Sequence, residues 1–200
     1  MTGHGHSDRL RGIVCPLLHP EDPMIRTAFF LFFALPLTAL AQTQKPPTTL
    51  RGILLEQLKT THTQEDWFVP AKVAVAGLTA DQANWTPGKG QHSVGQLAYH
   101  LWFWDSRALE RFNGIKPGPY DGNNDETFNN FTPAEWNDVV NKLDQVMSAW
   151  EQAVETAGDT KLAENASLVE HVAMHNAYHI GQILYVRKLE GVWDPNKGVK

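Results

Sequence analysis

The chain has 200 residues, enough for one domain, and 17 Lys/Arg against 22 Asp/Glu leave a net charge of −5. An acidic chain without a basic run argues against nucleic acid as its partner, and equally against an anionic membrane surface. The only cysteine is Cys15, so the sequence beyond the N-terminal region offers no thiol, no disulfide and no cysteine metal ligand.

Met24-Ile-Arg is a short positive start, and Thr27 to Leu40 is apolar and uncharged. Ala39-Leu40-Ala41 then forms a small-x-small cleavage site ahead of Gln42. Residues 24–41 therefore read as a secretory signal peptide. The apolar run is short for a bilayer span and contains Pro36, so no stable membrane anchor is expected after cleavage. A signal peptide works from the N-terminus, which makes Met24 the expected start and residues 1–23 upstream sequence. The expectation is an exported protein, periplasmic or secreted, with a short lead-in over 42–49 and one domain over 50–200.

Leu50 to Leu78 has a helical pattern in two pieces, because Pro70 is costly inside a helix. The break is expected near Thr60–Glu65. Leu50, Leu54 and Leu58 form one stripe, and Trp67, Ala71, Ala74 and Leu78 a second. Three later helices each open on Ser or Thr followed three residues on by Glu or Gln, the capping-box signature. Ser93 with Gln96 opens a helix to about Phe112, closed by Asn113-Gly114. Thr132 with Glu135, and Pro133 at the first helical position, opens one to about Ala157. Ser167 with Glu170 opens the last, to about Glu190 before Gly191. Apolar residues recur at three and four positions through these segments, as at Trp136, Val140, Leu143, Met147, Trp150 and Val154. No segment alternates like a strand, so the fold class is all-α. Residues 113–131 make a long polar connection of the kind that often carries function.

The histidines carry the chemistry. His175 and His179 are four apart and project from one face of a helix, one above the other. Leu168, Val172, Val186 and Leu189 lie on the same arc, so the pair points at the expected core. Two buried imidazoles need partners, and one metal ion satisfies both. His100, beside the Leu97–Leu101–Trp104 stripe, faces inward from another helix and supplies a third ligand. Three His with an open position suit a catalytic zinc site better than a structural one. Two other readings stand beside this. The three can be hydrogen-bonded core residues, and His171 with His175 makes a competing pair. His92, before the Ser93 cap, reads as a helix-terminus or pocket-rim residue. Asn176 stands where a zincin-type motif has its Glu, so no general base accompanies the pair.

Three segments together resemble the DinB/YfiT-like superfamily, the DinB-like metal-binding proteins. They are GLTADQANWTPGKGQHSVGQLAYHLWFW (77–104), HNAYHIGQI (175–183) and LEGVWDP (189–195). The resemblance covers Leu50 to Gly198. It implies an up-and-down four-helix bundle, commonly a homodimer, holding one divalent metal ion, often zinc or nickel. Carried over by position, the ligands are His100, His175 and His179, which favours the 175/179 register. Ile180 departs from the Arg found in many members.

Activities in the family are mixed. The leading expectation is a metal-dependent hydrolase acting on a small molecule whose identity the sequence does not disclose. The alternatives are a metal-dependent thiol S-transferase, disfavoured by export because such thiols are mostly cytosolic, and a non-catalytic metal- or ligand-binding bundle. Gln182, one turn past His179, is a candidate to orient a ligand or line the pocket, or else a polar residue at the bundle edge. Asp105 and Glu170 are the carboxylates nearest the ligands in sequence and read first as surface residues, with orienting an imidazole or acting as base as the alternative. Trp102 and Trp104 read first as packing aromatics, with a pocket wall as the alternative.

Overall fold

The computed structural model of the protein describes residues 45–198; the signal-peptide and upstream-sequence expectations concern residues outside that range. Six α-helices follow in order: α1 Leu50–His62, α2 Ala71–Val75, α3 Ala80–Asn84, α4 Val94–Phe112, α5 Pro133–Thr156 and α6 Asp159–Glu190. Among the described residues there is no strand, and no helix is long and apolar enough to cross a membrane.

The four longer helices build the core. α1 and α4 each pack against both α5 and α6. The predicted stripes do the burying: Leu54, Leu58, Leu97, Leu101, Leu143, Met147, Trp150 and Val154 are all in the core. At about 25 cal/mol per Å² of apolar surface, each such side chain contributes roughly 1.5–3 kcal/mol when fully buried. α2 packs on α6 and α1, and α3 packs on α4 and α5.

Local signals set most helix starts. Thr49 accepts from the Gly52 amide at the head of α1. Full capping boxes form at Ser93–Gln96 and Thr132–Glu135, as the sequence predicts, and a further one at Thr79–Gln82 opens α3, which the periodicity did not disclose. Pro70 is the N-cap of α2, and Trp67 lies outside any helix at 90 % exposed rather than on a core stripe.

The largest correction concerns α6. It starts at Asp159, not at Ser167, so Ser167 and Glu170 lie inside a 32-residue helix. The reason is tertiary. Leu162 is buried in the core, and Arg51 of α1 locks the α5–α6 turn. Its guanidinium donates to the carbonyls of Val154 (2.6 Å), Glu155 (2.7 Å) and Ala157 (2.7 Å), and to Asp159 Oδ1 (2.9 Å). Those are the orphan carbonyls at the end of α5, so one cation closes one helix and holds the first turn of the next. At the other end Gly191, with φ 81°, terminates α6 in the left-handed conformation that glycine adopts without steric cost.

Two buried polar side chains tie the remaining pieces. Arg187 of α6 donates to Ala74 O (2.6 Å) and Ala76 O (3.2 Å) at the end of α2. His62, at the end of α1, has Nδ1 2.6 Å from Glu151 Oε1 and Nε2 3.1 Å from Asp144 Oδ1, both on α5.

Candidate metal centre

α4 and α6 run antiparallel, and this places His100 opposite His175 and His179. One ring nitrogen from each of the three lies within 4.8 Å of the others. His100 and His179 are buried and His175 is partly so. The i, i+4 spacing on α6 accounts for one pair, and the inward stripe of α4 for the third member. His171 is exposed and bonds weakly back to Ser167 Oγ (3.3 Å), so it does not join the cluster.

Hydrogen bonds decide which nitrogens are free. Thr127 Oγ1 donates to Asn124 O (2.7 Å), so toward His100 Nδ1, 2.7 Å away, it accepts. The proton of His100 is therefore on Nδ1 and its lone pair on Nε2. Gln182 Oε1, an acceptor only, lies 2.6 Å from His179 Nδ1 and fixes the same tautomer there. Gln182 in turn donates from Nε2 to Tyr178 Oη at 3.1 Å. An acceptor on the outer imidazole nitrogen, leaving the inner one bare, is the arrangement that orients a metal-binding histidine.

The electrostatics agree with that reading. Burial, then the neighbouring imidazoles His179, His175 and His92, push His100 down to about 3. Burial, then His179, pushes His175 down to about 4. Burial also lowers His179, opposed by its bond to Gln182. All three imidazoles are neutral at pH 7, the form in which they ligate a metal. A trio of imidazoles without a carboxylate or thiolate suits a divalent transition metal rather than magnesium or calcium.

The long connection after α4 covers this site, and sequence reasoning missed how. Asn84 holds its far end, donating from Nδ2 to Phe131 O (2.7 Å) and accepting from Phe131 N (2.9 Å). A 3-10 turn at Asn124–Thr127 then brings Thr127 to His100, and Asn124 Oδ1 to Trp104 Nε1 (3.2 Å). The Phe128 ring stacks between two imidazoles, 3.7 Å from His92 and 4.6 Å from His100 between centroids. His92 is thus exposed at the rim. The Asn/Asp/Thr-rich turn sequence was the only local hint that this segment has fixed structure.

Asp105 corrects the surface reading. It is 1 % exposed, and its Oδ2 accepts from Asn176 Nδ2 at 2.9 Å, joining α4 to α6 beside His175. Its Oδ1 and the Asn176 Oδ1 are both buried without a partner among the described residues. Burial pushes the Asp105 carboxyl up to about 8, against the Asn176 bond that lowers it. Glu170 forms no part of the cluster. Trp104 walls a cavity of about 400 Å³ that opens beside His100 and His175, whereas Trp102 packs against Tyr99 with the Lys142 ammonium over its ring.

Residues 71–183, more than half of the chain, match the family model described as the DinB superfamily, and all three clustered histidines lie within the match. No curated protein and no solved structure matches the chain.

Proposed function

The chain belongs to the DinB superfamily, and from that premise we propose that it is a metal-dependent hydrolase of small molecules, built as a four-helix bundle in which α4 and α5 run parallel rather than in the up-and-down order that the resemblance implies. His100, His175 and His179 would hold one divalent ion, zinc or nickel, His100 and His179 through Nε2. When bound, such an ion supplies Lewis acidity, polarising a carbonyl or phosphoryl oxygen and bringing the pKa of a water to about 7. The chain's own residues do the rest. Thr127 and Gln182 hold two imidazoles in the ligating tautomer. Phe128 and Trp104 exclude bulk water from His100, and the adjoining cavity admits a substrate. The observation that carries the reading is the cluster of three neutral imidazoles, two of which, His100 and His175, line that cavity. Three protein ligands leave a position for a reacting group, where a structural site would supply four.

Export with cleavage after Ala41 belongs to the same proposal, supported by the leader sequence. So does a homodimer, to which the exposed Met174, Tyr178, Tyr185 and Leu189 along α6 give a surface.

The test is hydrolysis of 4-nitrophenyl acetate and of bis-4-nitrophenyl phosphate by zinc- and nickel-loaded protein, with and without an added low-molecular-weight thiol. A Lewis acid stabilises the transition state by several kcal/mol, so kcat/KM should fall at least about a hundredfold in His175→Ala/His179→Ala. Equal rates in the variant rule out hydrolysis at this site. Turnover of an electrophile only with thiol present would replace the hydrolase reading by S-transfer.

A further inference from the structure

The cavity beside the histidines runs down the groove between α4 and α6. Its walls are mostly apolar, from Trp104, Ala108, Leu168 and Val172, with Asp105, Asn124 and His171 as polar members, and at its far end stands Arg111. Arg111 is exposed and has no side-chain hydrogen bond or ion pair among the described residues. Its neighbour Arg107 is engaged, donating to Gly118 O at 2.6 Å with its guanidinium over the Phe103 and Tyr120 rings. Lys116 adds a second cation next to Arg111 in an adjoining groove of about 630 Å³. On a chain of net charge −5, this end of the pocket is locally basic.

His100 and Arg111 are eleven residues apart on α4. At 100° and 1.5 Å per residue they lie on the same face, roughly 16 Å apart along the axis. The Arg111 and His100 side chains both lean back toward the N-terminus of α4, so the span between their heads stays close to that rise. A cation near a helix C-terminus favours the helix dipole, and that alone explains an arginine in the last turn of α4. It does not explain an unpaired guanidinium bordering a mostly apolar groove whose other end is lined by His100 and His175.

We infer that the molecule handled at this site is an amphipathic oxyanion, with an apolar body in the α4–α6 groove and a terminal carboxylate or phosphate on Arg111. The inference rests on the proposed site but is separable from its metal chemistry. The guanidinium fork matches either anion with two parallel hydrogen bonds, and the apolar walls set a spacer between the anion and the reacting group. Arg111 is therefore a specificity-determining residue and touches none of the three histidines.

The test is calorimetric titration with 4-phenylbutyrate, 3-phenylpropyl phosphate and the neutral 4-phenylbutan-1-ol. It is run on chelator-treated and zinc-loaded protein, on Arg111→Gln, and on His175→Ala/His179→Ala. One charge-assisted bidentate contact should make an anion bind about tenfold tighter than the alcohol. Arg111→Gln should remove that difference and leave alcohol binding unchanged, and Arg111→Lys should restore part of it. The preference should persist without metal and in the double histidine variant. The ratio between the two anions identifies carboxylate or phosphate as the natural group. Equal binding of anion and alcohol, no binding of any probe, or a preference that survives Arg111→Gln overturns the inference. A preference present only with zinc also overturns it, because the anion is then a metal ligand, while the metal site stands. A preference that depends on Arg111 in a protein that takes up no metal upholds it and removes the hydrolase reading instead.

Discussion

Thr127 Oγ1 lies 2.7 Å from His100 Nδ1, although the two are 27 residues apart and on different elements. The hydroxyl proton is already given to Asn124 O, so Thr127 acts on the imidazole only as an acceptor. Thr127→Val keeps the shape and removes that acceptor. Zinc affinity should then fall about 10- to 100-fold, the usual loss when an outer-sphere partner of a ligating histidine goes. Competition with a fluorescent zinc chelator measures it. Gln182→Leu should give a loss of the same order through His179. An unchanged affinity in both variants would mean that the tautomers are set by something else.

The clustered imidazoles also predict how the metal-free chain responds to acid. His100 at about 3 and His175 at about 4 lie below the ordinary 6.5, so the unfolded chain binds protons that the folded chain refuses. Stability is therefore full above pH 6.5 and is lost as pH falls from 6.5 toward 4. The slope is at most roughly 1.4 kcal/mol per pH unit for each group. Because the raised Asp105 carboxyl contributes with the opposite sign over this range, urea unfolding of chelator-treated Asp105→Asn at pH 7.0 and 5.5 isolates the histidines. Adding His100→Gln to that background should give the shallower dependence, and a flat Asp105→Asn profile would contradict the buried, neutral state of these rings.

Asp105 predicts the opposite sign. Its carboxyl is raised to about 8, so the folded chain holds a proton that the unfolded chain releases near 3.8. That contribution is present at low pH and is lost as pH rises through 8. A protonated Asp105 can donate to Asn176, the residue whose own Oδ1 is otherwise orphaned. Asp105→Asn keeps a neutral donor at this position. Its stability relative to wild type should therefore rise steadily between pH 4 and 8, measured in metal-free protein. A difference independent of pH would show that Asp105 is not held protonated.

Gly95 predicts a packing effect that reaches the site. A Cβ at this position would lie 3.0 Å from Ala83 O and 3.0 Å from Phe131 Cδ2. α3 and the end of the covering connection both lean on that gap, and Phe131 is the residue that Asn84 holds. Gly95→Ala should destabilise the fold by about 1–3 kcal/mol despite the better helix propensity of alanine. A stabilised variant, seen as a higher urea midpoint, would mean that this contact relaxes freely.

Features encoded within one helix turn could be read from the sequence alone. Ser93–Gln96 and Thr132–Glu135 cap their helices because a capping box depends only on residues three apart. His175 and His179 share a face for the same reason. Ser167–Glu170 shows the limit of that logic. It carries the same local signature in mid-helix, because the burial of Leu162 and the Arg51 clamp, both tertiary, extend α6 back to Asp159. Thr127 and Phe128 could not be assigned from the sequence, since their place over His100 depends on how Asn84 anchors a distant segment. Asp105 reads as a surface carboxylate until Asn176 arrives from another helix to meet it.

The most direct measurement is metal content. The chain, purified without a histidine tag and incubated with zinc and nickel, would be compared by plasma mass spectrometry with His175→Ala/His179→Ala. Three neutral imidazoles within 4.8 Å of one another predict about one equivalent of zinc or nickel in the wild type that is lost in the double variant. Equal metal in both, or none in the wild type, would contradict a metal centre at His100, His175 and His179.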